Sequence, residues 1–348
     1  MSHFTVLVIG NNVDEQLAPY HEFECTGHND EYIQNVDITE ECRDTYLKNT
    51  TNYLVSPLGE KFDAYDERFY RKPTAEEKAK DPFARNVREI YPGWTELTVP
   101  TSTVKSFAEF VEDYYDKASI GPEGVIDIEG EHKYGYTLLN EAGEVEKVIR
   151  RTNSNAQWDW YSVGGRWTGM LKLKPGKIGS TGRPGLMTEA AKEGTADQAI
   201  KGDIDWEGMR TDAGTKAAAL WDKVNNVAPN KWESWDSVLK RIGSGKIDEA
   251  RNFYHSQPGR VAIRADQDLI WVEDDVLIPR DEYIQAARDK ACSTYAVVVD
   301  SKWIGKGKMG WFGMSDDKED SVTWAKKVTE LIDSLSDDTL LTIVDCHI

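Results

Sequence analysis

The sequence predicts an α+β protein, with a ferredoxin-like or related mixed sheet formed by both chain ends and a helical insertion between them. β-branched apolar runs at 4–9 and 339–345 mark a strand near each end of the 348 residues. Between them, 214–255 carries apolar residues at helical spacing.

In chain order, the run 4–9 stops at Gly10-Asn11-Asn12 and reads as a buried central strand entering a turn. A short helix is expected over 13–20, then short helices and loops over 21–75, with a helix start at Thr74-Ala75-Glu76-Glu77. Phe107, Phe110, Val111 and Tyr114 fall at i, i+3, i+4 and i+7, which predicts an amphipathic helix over 102–115. Residues 134–139 and 144–150, split by Asn140-Glu141-Ala142-Gly143, predict a hairpin. A further strand is expected over 167–173. The Pro- and Gly-rich stretch 175–185 reads as a loop and a domain boundary. Residues 260–264 and 269–272 read as a short strand pair, and Pro279 opens a helix that runs to about Lys290. The tail is read as a strand at 295–300, a Gly/Trp hairpin over 302–313, a helix capped by Ser315, and the last strand. Val322, Ala325, Val328, Leu331 and Leu335 are the expected inner face of that helix. Three regions follow: 1–174, an N-terminal α+β region; 186–258, the helical insertion; and 259–348, a C-terminal α+β unit.

Composition narrows the function. The net charge is −19, which opposes binding of a nucleic-acid polyanion and suits a basic protein partner. The charge is uneven: residues 1–50 hold ten Asp/Glu against two Lys/Arg, whereas 151–183 hold six Lys/Arg against Asp159 alone. The four cysteines form no C-x-x-C pair, so a reducing cytosol is the expected compartment. No apolar run approaches the ~20 residues that span a membrane.

The densest signal is 158–167, with Trp158, Trp160, Trp167, a double glycine and Arg166. Such a block makes a core or a surface on which rings and cations hold a ligand. Alternation puts Trp158, Trp160 and Ser162 on one strand face and Asp159 and Tyr161 on the other. Lys306 and Lys308, in the Gly-rich stretch 305–310, can cradle a phosphate, but the second half of a P-loop signature is missing and a hairpin tip is the favoured reading. Cys25, His28, Cys42, Cys346 and His347 match no standard zinc spacing, so neither metal nor cofactor is expected. His21, Glu22 and Glu24 lack a nucleophile at a recognisable spacing. No nucleophile elbow, P-loop or zinc-hydrolase motif occurs, so no catalytic residue is assigned and an enzyme is not expected.

The opening Ser2-His3-Phe4-Thr5-Val6-Leu7-Val8-Ile9-Gly10 and the block 158–167 resemble a group of bacteriophage accessory proteins. In length, acidity and two-part organisation the chain resembles the Gabija anti-defence proteins. That resemblance implies a non-enzymatic inhibitor in the host cytoplasm. It would form a homo-oligomer, bind a host nuclease–helicase complex through that complex's basic DNA-binding surface, and block DNA binding or cleavage. The expected contacts are Asp14, Glu15, Glu40, Glu41, Asp316, Asp317, Glu319 and Asp320, with Trp232 and Trp235 as anchors. The alternative reading is a nucleotide-binding or nucleotide-degrading protein that uses Trp158, Trp160, Arg166, Trp167, Lys306 and Lys308.

Overall fold

A computed structural model of the chain describes residues 2–22, 31–81, 85–112, 117–118 and 134–348. The fold is α+β, with a mixed sheet formed by both chain ends and helices between. It divides into two compact units, one made of 1–22 with 155–348 and the other of 23–154. The division therefore falls at 22/23 and 154/155, not at the loop 175–185 or near 258. That loop stays inside the first unit because Arg183–Pro184 pairs in parallel with Trp160–Gly165.

In the first unit, strand His3–Ile9 is central, as its apolar run predicts. It pairs in parallel with Ala296–Val299 and antiparallel with Leu340–His347. Outward from the last strand lie Trp160–Gly165 and then Arg183–Pro184; outward from Ala296–Val299 lies Lys302–Gly305. Side chains alternate across the sheet. Leu7, Ile9, Val297, Leu341 and Ile343 form one buried cluster with Trp324, Val328 and Ile332 of helix Ser321–Ser334. Phe4, Val6, Val8, Val298, Val344 and Cys346 face the other way, onto Leu17 and Trp158.

The helical region holds Trp206–Val227, Trp235–Ile242 and Ile247–Ser256, close to expectation. Several local expectations give way. Residues 258–265 are a helix, Pro258–Ala265, rather than a strand, because Pro258 sits at its first turn and Ile263 turns into the helical core. Residues 167–170 form turns, and only Leu171–Lys172 is strand. The expected 302–313 hairpin is two hairpins, Lys302–Gly305 pairing back on Ala296–Val299 and Gly307–Met309 pairing with Ser315–Asp317. The last helix accordingly starts later. Asp320 caps it by accepting from the Val322 and Thr323 amides, and Val322 lies outside the core. Among the described residues, no helix is long and apolar enough to cross a membrane.

In the second unit, Gly135–Leu139 and Val145–Thr152 form the predicted hairpin, joined by Gln34–Asp37 on its outer side. Helices Thr39–Lys48 and Phe107–Glu112 cover it through Ile38, Phe110, Val111 and Val148. Tyr114 lies outside the described residues. A separate sheet of Thr50–Val55, Lys61–Asp63 and Thr95–Pro100 replaces part of the expected loop. Thr74 and Glu77 form the reciprocal cap that the sequence signals.

Candidate active site

The strand face that buries Leu7 and Ile343 ends in polar residues. Register sets His3 opposite His347, Thr5 opposite Asp345, Trp160 opposite His347 and Ser162 opposite Asp345. His3, His347 and Trp160 thus form one row across three strands, within the reach of cross-strand neighbours. The two imidazoles lie 4.9 Å apart, centroid to centroid, edge to face. The Trp160 indole stacks on His347 at 4.8 Å and meets the edge of His3 at 5.3 Å.

Each histidine is held by a carboxylate. Nδ1 of His3 donates to Asp345 at 2.8 Å, and Nδ1 of His347 donates to Asp159 at 2.7 and 2.9 Å. An ionised carboxylate only accepts, so the proton of each neutral ring sits on Nδ1 and the Nε2 lone pair is left for chemistry. Asp345 is 2% exposed, and its second oxygen accepts the Arg166 amide at 2.9 Å. One carboxylate therefore ties a histidine to an arginine.

The double glycine makes that tie possible. Gly164 and Gly165 have φ of +77° and +54°, and a Cβ on either would run into the Asp197 or the Asp345 carboxylate. Asp197 is fully buried. It gathers the Gly169 amide, the Gly182 amide and the Thr168 hydroxyl, and so pins the loops on either side.

These residues border a cleft of about 1140 Å³ lined by His3, His347, Trp160, Arg166, Arg183 and the segment 184–188. Arg166 and Arg183 have no carboxylate partner among the described residues; Arg210 and Arg264 also have none, but Arg166 and Arg183 line the cleft. Unpaired guanidinium groups in a cleft suit an anionic ligand. Among the described residues, no three His, Cys, Asp or Glu side chains converge as metal ligands. Cys25, His28 and Glu24 lie outside the described residues.

The candidates from the tryptophan block separate. Trp160 and Arg166 line the cleft. Trp158 is 6% exposed and on the opposite face of the sheet, stacked on His21, with its Nε1 donating to Leu17. Strand geometry begins only at Trp160, so the expected alternation fails before it: Asp159 turns toward His347, and Trp158 does not share the face of Trp160 and Ser162. Trp167 packs against the core under the last helix. Lys306 pairs with Asp317 at 2.5 Å near the opposite sheet edge, and Lys308 lies on the adjoining hairpin. Neither lysine joins the cleft.

The acidic candidates are largely engaged within the fold. Tyr161 donates to Asp14, and burial followed by that carboxylate pushes the phenol up. Asn12 donates to Glu15 at 2.9 Å. Glu319 pairs with Lys327, and Glu41 pairs loosely with Arg150 at 3.5 Å. Asp320 is a cap, Glu40 sits in the first turn of Thr39–Lys48, and Asp316 is exposed on its hairpin. Trp232 is 9% exposed and bonded to Asp274, and Trp235 packs on the same helical core, so neither is a free anchor.

Sequence reasoning missed His3, Asp345 and Arg183, and it weighed His347 only as a metal ligand. A signal was present: titratable residues at alternate positions of otherwise apolar strands, His3 ahead of Leu7 and Asp345 with His347 after Ile343. Comparison of the chain with models of known families, with characterised proteins and with solved structures finds no match in any of the three.

Proposed function

We propose that the protein is a nucleotide-degrading enzyme that cleaves a phosphate ester in this cleft by paired histidine acid–base catalysis. The carrying observation is the pair itself: His3 and His347, side by side, each anchored at Nδ1, both bordering a cleft that also holds Arg166 and Arg183. One imidazole in its neutral form takes a proton at Nε2, and the other in its protonated form gives one. The arginines hold the phosphate and stabilise charge that grows on its oxygens. Trp160 offers an aromatic face to the rest of the ligand.

The inhibitor reading draws its support from the net charge of −19. Most of the acids it relies on are paired or capping, and both tryptophans belong to a core, so the cleft reading is preferred.

The test is turnover of bis(p-nitrophenyl) phosphate by the full chain. His3→Asn and His347→Asn keep a donor near the Nδ1 position and remove Nε2. Each is expected to lower kcat/KM by roughly 10²–10⁴-fold. Unchanged turnover in both variants would sink the proposal.

A further inference from the structure

The cleft is larger than one nucleoside needs, and its walls are uneven in a way that suggests what fills it. Its floor crosses four neighbouring strands, from His3–Ile9 through Leu340–His347 and Trp160–Gly165 to Arg183–Pro184. Three interstrand steps make that floor roughly 14 Å wide. The volume of about 1140 Å³ exceeds the usual range of about 300–1,000 Å³ for small-ligand pockets.

Apolar surface stands on both sides. Beside the histidines is Trp160, 46% exposed although its ring is stacked on His347. Beyond Arg183 the chain turns through Gly185, and Leu186 and Met187 line the cleft while being fully exposed. Two wholly exposed apolar side chains on a turn beside two unpartnered arginines are surface left for a ligand. The net charge of −19 opposes a long polyanion, which would extend well past the cleft.

We infer that the substrate is a dinucleotide, two nucleosides joined by a phosphodiester, with one base on Trp160 and the other against Leu186 and Met187. This rests on the reading of the cleft as a phosphate-ester site. Linear and cyclic dinucleotides share the chemistry that the cleft recognises. Water attacks phosphorus as the neutral histidine takes its proton. The bond from phosphorus to the ester oxygen breaks, and the protonated histidine delivers a proton to that oxygen. The products are a phosphomonoester and a free hydroxyl, and the two rings exchange protonation states, to be reset by solvent.

The experiment measures kcat/KM of the full chain on a linear dinucleotide, a cyclic dinucleotide, a 2′,3′-cyclic mononucleotide, bis(p-nitrophenyl) phosphate and a twenty-nucleotide RNA. One dinucleotide form is expected to exceed the mononucleotide at least about 10-fold, and the preferred form tells linear from cyclic. Trp160→Ala should raise KM for it about 10-fold with a smaller change in kcat, a size typical of a lost base stack. The double change Leu186→Ser with Met187→Ser should raise the same KM. Equal efficiency on mononucleotide and dinucleotide, preference for the RNA, or an unmoved KM in Trp160→Ala overturns the inference. Histidine-dependent cleavage of bis(p-nitrophenyl) phosphate without a dinucleotide preference leaves the catalytic reading standing alone. No cleavage of any ester, with a Trp160-dependent rise of Tm in the presence of dinucleotide, removes the catalytic reading and retains the ligand.

Discussion

The first unit contains two clusters built from the same parts. In the helical core, Asp274 accepts from Trp232 Nε1 and the Tyr254 hydroxyl at 2.7 and 2.6 Å, and from the Trp235 amide. Arg260 lies between the Trp232 and Tyr254 rings, about 5 Å from each, and donates to the Val272 carbonyl. In the sheet, Asp345 and Asp159 hold imidazoles beside Trp160, with Arg166 adjacent. Both clusters combine a carboxylate, aromatic rings and an arginine. They differ in what remains free. Asp274 spends its acceptors on protein donors and closes the helical core. The sheet cluster leaves two histidines and two guanidinium groups on the lining of a cleft. Composition does not separate the two clusters; unspent hydrogen-bonding capacity beside open space does, and the catalytic proposal rests on it.

The largest effect that separates the clusters is on turnover. His347→Asn should remove roughly 10²–10⁴-fold of kcat/KM per folded molecule while the chain stays folded, with a few degrees lost from Tm because His347 is 3% exposed, read by steady-state kinetics beside calorimetry. If it instead unfolds the chain, the sheet cluster is structural and the contrast collapses. Asp274→Ala is the mirror experiment. It strands three donors at a cost of about 3 kcal/mol, so Tm should fall clearly while turnover per folded molecule persists.

Gly165→Ala tests how the two functions meet. The new methyl has no room beside Asp345, and φ of +54° is strained for alanine, so about 2 kcal/mol of stability should be lost together with activity. Stability lost with activity intact would show that the Arg166–Asp345 tie is dispensable.

A smaller effect is expected at alkaline pH. Burial, with help from Asp274, pushes the Tyr254 phenol up to about 12, and burial with Asp317 does the same for Tyr295, against an ordinary value of 10.0. The folded state holds these protons more tightly than the unfolded chain does. Their contribution to stability is therefore complete below pH 10 and is lost as pH climbs toward 12. Tm measured from pH 9 to 12 should fall, and Tyr254→Phe should flatten the fall. Smallest is the thiol response. Burial raises Cys292 to about 11 and also pushes the Cys346 thiol well up, so a thiol reagent at pH 8 should label neither before the protein unfolds.

Much of the fold was legible because its signals are local. The run at 4–9, the turn at 140–143 and the Thr74–Glu77 cap each state their structure within a few residues. Helix Pro258–Ala265 and the paired hairpins of 296–317 were misread because short apolar runs fit strand and helix alike, and partner choice is settled by neighbours distant in sequence. The site was half legible. Trp160 and Arg166 announced themselves in a dense block. His3 and Asp345 did not, since their meaning comes only from a cross-strand register that joins the two ends of the chain.

That register also bears on when the protein can work. The His3–Asp345 contact closes a loop of 342 residues, and the Ser2 and Ile348 backbones bond to each other in both directions. The entropy of closing a loop grows only slowly with its length, but the contact is among the least local in the fold, and such contacts form late. During synthesis the first histidine waits for strand Leu340–His347, which is made more than three hundred residues later. A ribosome-bound chain short of residue 345 has neither the carboxylate that holds His3 nor the second imidazole. On the catalytic reading proposed above, activity should therefore appear only once residue 347 has been made and paired rather than growing with chain length.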